Sequence, residues 1–198
     1  ADPQVRALVV RCAGRTFIAG ADIGEFARPP EAPLLPELVQ AIEDCGKPVV
    51  AALHGTALGG GFEVALAAHW RLAASGTKVG LPEVKLGIIP GAGGTQRLPR
   101  LIGARRALEM ITSGEPVLAP LLATTALLDR VADGDPVAAA LELAASAEID
   151  TRPLRRTRDI ALAASNVAAL CASARSRFES RRPRLPAPLR CIDAIEAA

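Results

Sequence analysis

Apolar positions along this chain fall into short runs of strand length and longer stretches of helical spacing, most of them closed off by glycine or proline. Val5 to Cys12 is apolar and β-branched, with the turn-like Gly14 behind it, and predicts a buried strand. After a proline-rich loop (Pro29, Pro30, Pro33), Leu34 to Ile42 has the spacing of a short helix. Pro48 to Gly55, PVVAALHG, predicts another short strand, and the glycine run Gly59, Gly60, Gly61 leads into a helical stretch through Ala68. Trp70 to Ala74 and Val79 to Leu81 predict two more strands. Leu86 to Ile89 is apolar, and Pro90-Gly91-Ala92-Gly93-Gly94 leads into a helix from about Thr95. Twice, then, a glycine-rich turn opens a helix. Helical patterns follow from Arg105 to Ser113, Pro136 to Ala147, Arg158 to Phe178 and Leu189 to Ala197, punctuated by Gly114, Pro116, Gly134 and Pro136. Arg181 to Pro188, RRPRLPAP, has the composition of a linker. The order predicts an α/β first part and a mainly α second part, with no repeat of fixed period.

Composition narrows the class. At 198 residues the chain fits one domain better than two, and its 50% apolar content excludes a disordered chain. No uninterrupted apolar run approaches the ~20 residues of a membrane-spanning helix, so a soluble protein without a membrane partner is expected. No basic segment followed by an apolar one marks the start for secretion, and the first residues read as an internal start. Cys12, Cys45, Cys171 and Cys191 are widely spaced, without a CxxC pair or a histidine at metal-ligand spacing. They read as reduced, mostly buried thiols, which implies a reducing compartment. The net charge of +2 is unevenly spread: residues 151–198 carry 10 basic and 4 acidic side chains. Phe178 is the sole aromatic there, so a solvated helical face is favoured over nucleic-acid binding, which relies on stacking.

The chemistry concentrates around the two glycine turns. A glycine-rich approach to a helix lets an anionic oxygen reach unpaired backbone amides at its positive end, although glycine clusters also serve close packing. Neither cluster supplies GxGxxG, since Gln96 stands where the third glycine would be, and no GxxxxGK[ST] occurs, so dinucleotide and P-loop readings fall. Glu63 lies two residues past Gly61 within the apolar FEVALAA, where it could simply favour the helix dipole. Glu83 follows Pro82 in GLPEVKLG, where it could be an exposed loop acid or a partner for Lys85. Brought into one dry cleft, two such carboxylates would repel each other and lose solvation, which pushes one pKa upward and leaves an acid and a base near neutrality.

Three stretches, TFIAGADIGEF (Thr16 to Phe26), HGTALGGGFEVALAAHWRLA (His54 to Ala73) and KVGLPEVKLGIIPGAGGTQRLPRLIGA (Lys78 to Ala104), resemble the signature of the enoyl-CoA hydratase/isomerase, or crotonase, family in order and spacing. The resemblance covers about residues 5–150. It implies an α/β, crotonase-like (ClpP/crotonase) fold of repeated β-β-α units, with residues 151–198 as a helical extension or linker. That extension resembles the segment that follows the hydratase domain in multifunctional fatty-acid oxidation enzymes, which continue into a dehydrogenase. On this resemblance the oxyanion-hole amides fall on Ala21 and Gly60, the catalytic carboxylates on Glu63 and Glu83, and the amide that positions the Glu83 carboxylate and the water on Gly91. Coenzyme A contacts fall on Ala19, Asp22 and Ile23.

The implied activity is hydration of a 2-enoyl-CoA to a 3-hydroxyacyl-CoA in fatty-acid β-oxidation, favoured because both glutamates are present. The alternatives are Δ3-Δ2-enoyl-CoA isomerisation in the same site and a non-catalytic acyl-CoA-binding fragment. The resemblance implies an acyl-CoA substrate, no metal or redox cofactor, no nucleic acid, and either a homo-oligomer or a covalently linked dehydrogenase. It implies a cytoplasmic location, or a peroxisomal one in a eukaryote. Three departures stand out. Gly24 replaces a basic residue that often approaches the adenosine end of the coenzyme, and Ala119 to Val131 lacks the usual small-residue turn. A strand-and-helix unit that normally precedes Val5 is expected to be missing.

Overall fold

The computed structural model describes residues 2–22, 24, 29, 31–151, 153–162, 166–180 and 185–198, with the side chain of Asp150 left aside. Its centre is a parallel sheet of four strands in the order β1-β2-β4-β7: β1 (Leu8–Val10), β2 (Val49–Leu53), β4 (Trp70–Ala74) and β7 (Arg130–Ala132). A smaller sheet joins β3 (Thr56–Leu58) in parallel to β5 (Lys78–Gly80), with β6 (Val117–Leu118) antiparallel at its far edge. Register places Val50 beside Trp70 and Ala51 beside Arg71 in the large sheet, and Leu58 beside Gly80 in the small one.

The apolar run in β2 is explained by burial on both faces. Side chains alternate across a strand. Val49, Ala51 and Leu53 enter the main core with Phe62, Leu66, Leu98 and Ile111, whereas Val50 and Ala52 enter a second core with Trp70, Leu72, Ala140 and Leu143. The second core is closed by α5 (Pro136–Ala145), followed by the short α6 (Ala147–Thr151). The main core is covered by α2 (Gly60–Ala67), α3 (Gly94–Ile102) and α4 (Ala104–Ser113), and α1 (Leu35–Glu43) packs on α2. Arg71 is fully buried on β4, where its Nε donates to the Leu127 carbonyl at 2.7 Å and its backbone N–H to Asp129 at 2.8 Å. The atypical 119–131 stretch therefore forms a 3-10 turn (Ala119–Leu122) and then supplies carbonyl and carboxylate partners to β4.

Several expectations need adjustment. The first strand spans only Leu8–Val10 and is partly exposed rather than buried, and β3, β6 and β7, of two or three residues each, were not anticipated. The stretch expected as one helix from Arg158 to Phe178 is instead a 3-10 turn (Thr157–Asp159) and α7 (Val167–Glu179), with residues 163–165 outside the described set. Pro186 to Pro188, expected as linker, forms the first turn of α8 (Pro186–Glu196), where proline lacks no intrahelical bond. Residues 181–184 lie outside the described set. Cys171, Ala174, Cys191, Ile192 and Ile195 of α7 and α8 are buried in the same core as Leu98 and Ile111, so these helices are integral to the body they cover. All four cysteines are free thiols, and none of the described helices is long and apolar enough to cross a membrane.

Candidate active site

The site forms where both glycine turns meet. Ile18 bridges to Ala57 in parallel fashion, and its carbonyl accepts from the Leu58 N–H at 2.9 Å. The chain at Ile18 to Gly20 thus runs beside the end of β3 and the start of α2. Gly61 permits this approach, since a Cβ there would lie 2.4 Å from the Ile18 carbonyl oxygen. Within α2 the first bonds run from Phe62 and Glu63 back to the Gly59 carbonyl, leaving the Gly60 and Gly61 amides without intrahelical acceptors. Of the residues assigned to coenzyme contacts and the oxyanion hole, Ala19, Ala21 and Asp22 are exposed, and the Asp22 carboxylate accepts from the Gly24 N–H at 2.8 Å. Ile23 lies outside the described residues.

Glu63 projects from the first turn of α2 and is 2% exposed. Its Oε1 accepts from the Ala92 N–H at 2.8 Å and the Gly94 N–H at 2.7 Å, at the positive end of α3. A Cβ on Gly94 would sit 3.0 Å from that oxygen, so glycine keeps the approach open. Burial pushes the Glu63 pKa up, while the two amides and the positive charge of Arg97 oppose the rise. The carboxylate held by this loop is therefore Glu63 through Ala92 and Gly94, whereas the sequence reading placed Gly91 on Glu83. Gly91 is exposed at the loop's opening. The helix starts at Gly94, and the donors are those that the turn into α3 leaves unpaired.

Glu83 comes from a different kind of element, a 3-10 turn (Pro82–Leu86) that follows β5. Its Oε1 lies 3.3 Å from where a Cβ on Gly59 would stand, which sets the carboxylate against the N-terminus of α2. Its Oε2 is buried and has no hydrogen-bond partner among the described residues. Burial, then the nearby charge of Glu63, push Glu83 up to about 7, against one backbone hydrogen bond that lowers it. On the α8 side, burial and then Glu83's charge raise the Cys191 thiol to about 12, so it stays protonated. Lys85 turns away to pair with Glu115 at 2.9 Å rather than with Glu83.

Neither histidine joins the pair. His54 Nε2 lies 3.2 Å from the Gly14 carbonyl. His69 is fully buried, with Nδ1 accepting from the Val49 N–H at 3.0 Å and Nε2 left to donate to the Glu43 carbonyl at 3.2 Å. Burial lowers its pKa, and it is neutral. No group of three His, Cys, Asp or Glu side chains suited to a metal ion occurs among the described residues. Next to Glu83, Val84 and Lys85 begin a cleft of about 500 Å³ whose other walls include Thr112, Phe178, Leu185 and Pro188. The sequence reading missed Glu43 and Arg97, which lie behind the Ala92–Gly94 loop. The one signal was a charged residue, Arg97, in the first turn after the second glycine cluster.

A parallel α/β core that brings two carboxylates with raised pKa values to adjoining helix N-termini defines a scaffold for acid–base chemistry. The profile of the enoyl-CoA hydratase/isomerase family matches residues 1–153. A peroxisomal bifunctional enzyme from Danio rerio is 44% identical over 200 residues, covering 100% of this chain and 28% of the relative. A probable enoyl-CoA hydratase from Bacillus subtilis is 52% identical over 123 residues, 59% of this chain and 48% of that protein. Among solved structures, an enoyl-CoA hydratase from Bacillus anthracis superposes with a TM-score of 0.66 at 31% identity, covering 100% of this chain and 75% of that one. The chain belongs to the enoyl-CoA hydratase/isomerase family and has the crotonase fold. It spans about a quarter to a half of the length of the two curated relatives described.

Proposed function

We propose that this chain adds water across the double bond of a 2-enoyl-CoA thioester, giving the 3-hydroxyacyl-CoA, with Glu63 and Glu83 as the acid–base pair. The observation that carries the reading is the unequal setting of two carboxylates that feel each other's charge. Glu63 has two amide donors and a cation that favour its ionised form. Glu83 has an unpartnered oxygen and stays protonated up to about pH 7. Glu63 takes a proton from water as the water oxygen bonds to C3, and Glu83 gives its proton to C2, so that one water is added overall. Negative charge that builds on the thioester oxygen is met by the amides of Ala21 and Gly60, the latter at a helix N-terminus. Ala19, Asp22 and Ile23 would touch the coenzyme, and the cleft beginning at Val84 offers room for the acyl chain. The coenzyme enters as part of the substrate, and the reaction as written needs no further cofactor.

The name of a relative 39% identical over 219 residues, the fatty acid oxidation complex subunit alpha of Pseudomonas savastanoi, supports a setting in fatty-acid oxidation, in which a linked dehydrogenase would oxidise the product. The location would be peroxisomal in a eukaryote and cytoplasmic otherwise. The test is hydration of crotonyl-CoA, followed by loss of enone absorbance, in the wild type and in Glu63→Gln and Glu83→Gln. Turnover that disappears in both folded variants is expected. Wild-type rates in either variant would overturn the assignment, and a folded wild type that binds the thioester without turning it over would instead be a binding module.

A further inference from the structure

Arg97 is the charged side chain that ties the Glu63-holding loop to the rest of the molecule. It lies on α3, three residues past Gly94, and is 8% exposed. Its Nη1 donates to the Ala92 carbonyl at 2.9 Å, while the N–H of that same residue holds Glu63 at 2.8 Å. Gly93 wraps the guanidinium closely: its φ is +93°, and a Cβ there would stand 2.2 Å from Nη1. On its other side Arg97 donates to Glu43 Oε2 from Nη2 at 2.7 Å and from Nε at 3.2 Å. Glu43, on α1, is fully buried, and its Oε1 accepts from the Arg158 N–H at 2.9 Å. Arg156 Nε donates to the Glu43 carbonyl at 3.2 Å. Burying such a pair gains little over an apolar one, because desolvation offsets the attraction, so stability alone does not account for it.

We propose that Arg97, gripped by Glu43, which the Arg156–Arg158 segment holds in turn, is a positioning residue that fixes the Ala92–Gly94 loop around the Glu63 carboxylate. The proposal rests on Glu63 being a reacting group. The charges that bear on Glu63 are Arg97 from α3 and Glu83 from the 3-10 turn, with Glu43 and Arg158 behind Arg97. Arg97 therefore acts on Glu63 both by geometry and by charge.

The experiment titrates the glutamate side-chain carboxylates by 13C NMR, with the Glu63 signal assigned through Glu63→Gln, alongside steady-state hydration and thermal melts. Arg97→Gln should raise the Glu63 midpoint, as loss of a nearby opposite charge does. It should also lower kcat by roughly 10-fold with KM within about 2-fold of wild type, as expected when an outer support is lost. Glu43→Gln frees the guanidinium from its grip while leaving its charge in place, and should lower kcat with KM held, as Arg97→Gln does. Arg97→Lys keeps the charge but not the fork, so it should restore the midpoint and only part of kcat. An unmoved midpoint in folded Arg97→Gln, or wild-type kcat in folded Glu43→Gln, would overturn the proposal. If Arg97→Gln does not fold, the Lys and Glu43 variants decide. The titration stands even if the wild type hydrates nothing, so failure of this inference and failure of the hydratase reading remain separable.

Discussion

The wall that carries Glu63 and the wall that carries Glu83 are built differently. Glu63 sits on an eight-residue helix with seven buried positions, and its carboxylate is held by a second helix end that Arg97 braces. Glu83 sits on a five-residue 3-10 turn whose buried positions reduce to Val84, and the chain then runs through Leu86 and Ile88, which are 54% and 44% exposed. One carboxylate is hydrogen-bonded into a rigid frame, and the other has an oxygen without a partner among the described residues. Interactions that favour the anion suit a group that accepts a proton, whereas an unsolvated oxygen suits a group that must hold one near neutrality. The protein thus separates two chemically identical side chains by what surrounds them.

Substituting each carboxylate tests this contrast most severely. Glu63→Gln and Glu83→Gln should each lower hydratase kcat by at least ~10²-fold in crotonyl-CoA assays, the scale of acid–base groups. Their stabilities should diverge. Glu83→Gln relieves a buried charge and should stabilise in urea unfolding at pH 8. Glu63→Gln also relieves a buried charge but weakens the bonds to the Ala92 and Gly94 amides, so it should show the smaller gain at the same pH. Equal changes of one sign would erase the distinction between the two walls.

Glycine substitutions sharpen it at the level of packing. Gly94→Ala puts a methyl 3.0 Å from Glu63 Oε1 and 2.9 Å from Leu81 Cδ1, so it should cost about 1–3 kcal/mol and lower kcat together with stability. Gly87→Ala, at the end of the Glu83 turn, meets open space and strains only a backbone with φ +75°, so about 1 kcal/mol and little change in kcat are expected.

The pH dependence of stability follows from the sign of the Glu83 shift. Its folded pKa, about 7, lies above the ordinary carboxylate value of 4.5, so between these values the folded state binds more protons than the unfolded state. The contribution of Glu83 is present below about pH 4.5 and is lost as pH rises through about 7. Glu83→Gln should flatten that limb by about 1–2 kcal/mol between pH 5 and 8, seen as the difference between wild-type and variant unfolding curves. Hydration kcat/KM should likewise fall above about pH 7 as Glu83 loses its proton. The smallest effect is expected at the rim, where Leu86→Ser and Ile88→Ser should change stability by no more than about 0.5 kcal/mol in thermal melts.

By itself the sequence determined the elements with enough residues to show a period, such as β2, the helix from Gly60 and the strand Trp70–Ala74, because burial must repeat with the geometry of the element. It also determined where chemistry would gather, since a glycine turn before a helix and a glutamate inside an apolar run are local features. The tertiary structure decided the rest. Which amides reach which carboxylate depends on how α3 docks against α2, so Ala92 and Gly94 hold Glu63 although 29 and 31 residues separate them from it. Whether a basic tail is a solvated appendage or part of the frame depends on partners just as distant. Arg158 looks like any surface arginine in the sequence, yet its amide closes on Glu43 across 115 residues, and the helices that follow it bury their apolar faces in the main core. Spacing along a chain encodes local geometry, but desolvation and long-range hydrogen bonding exist only once distant segments have packed.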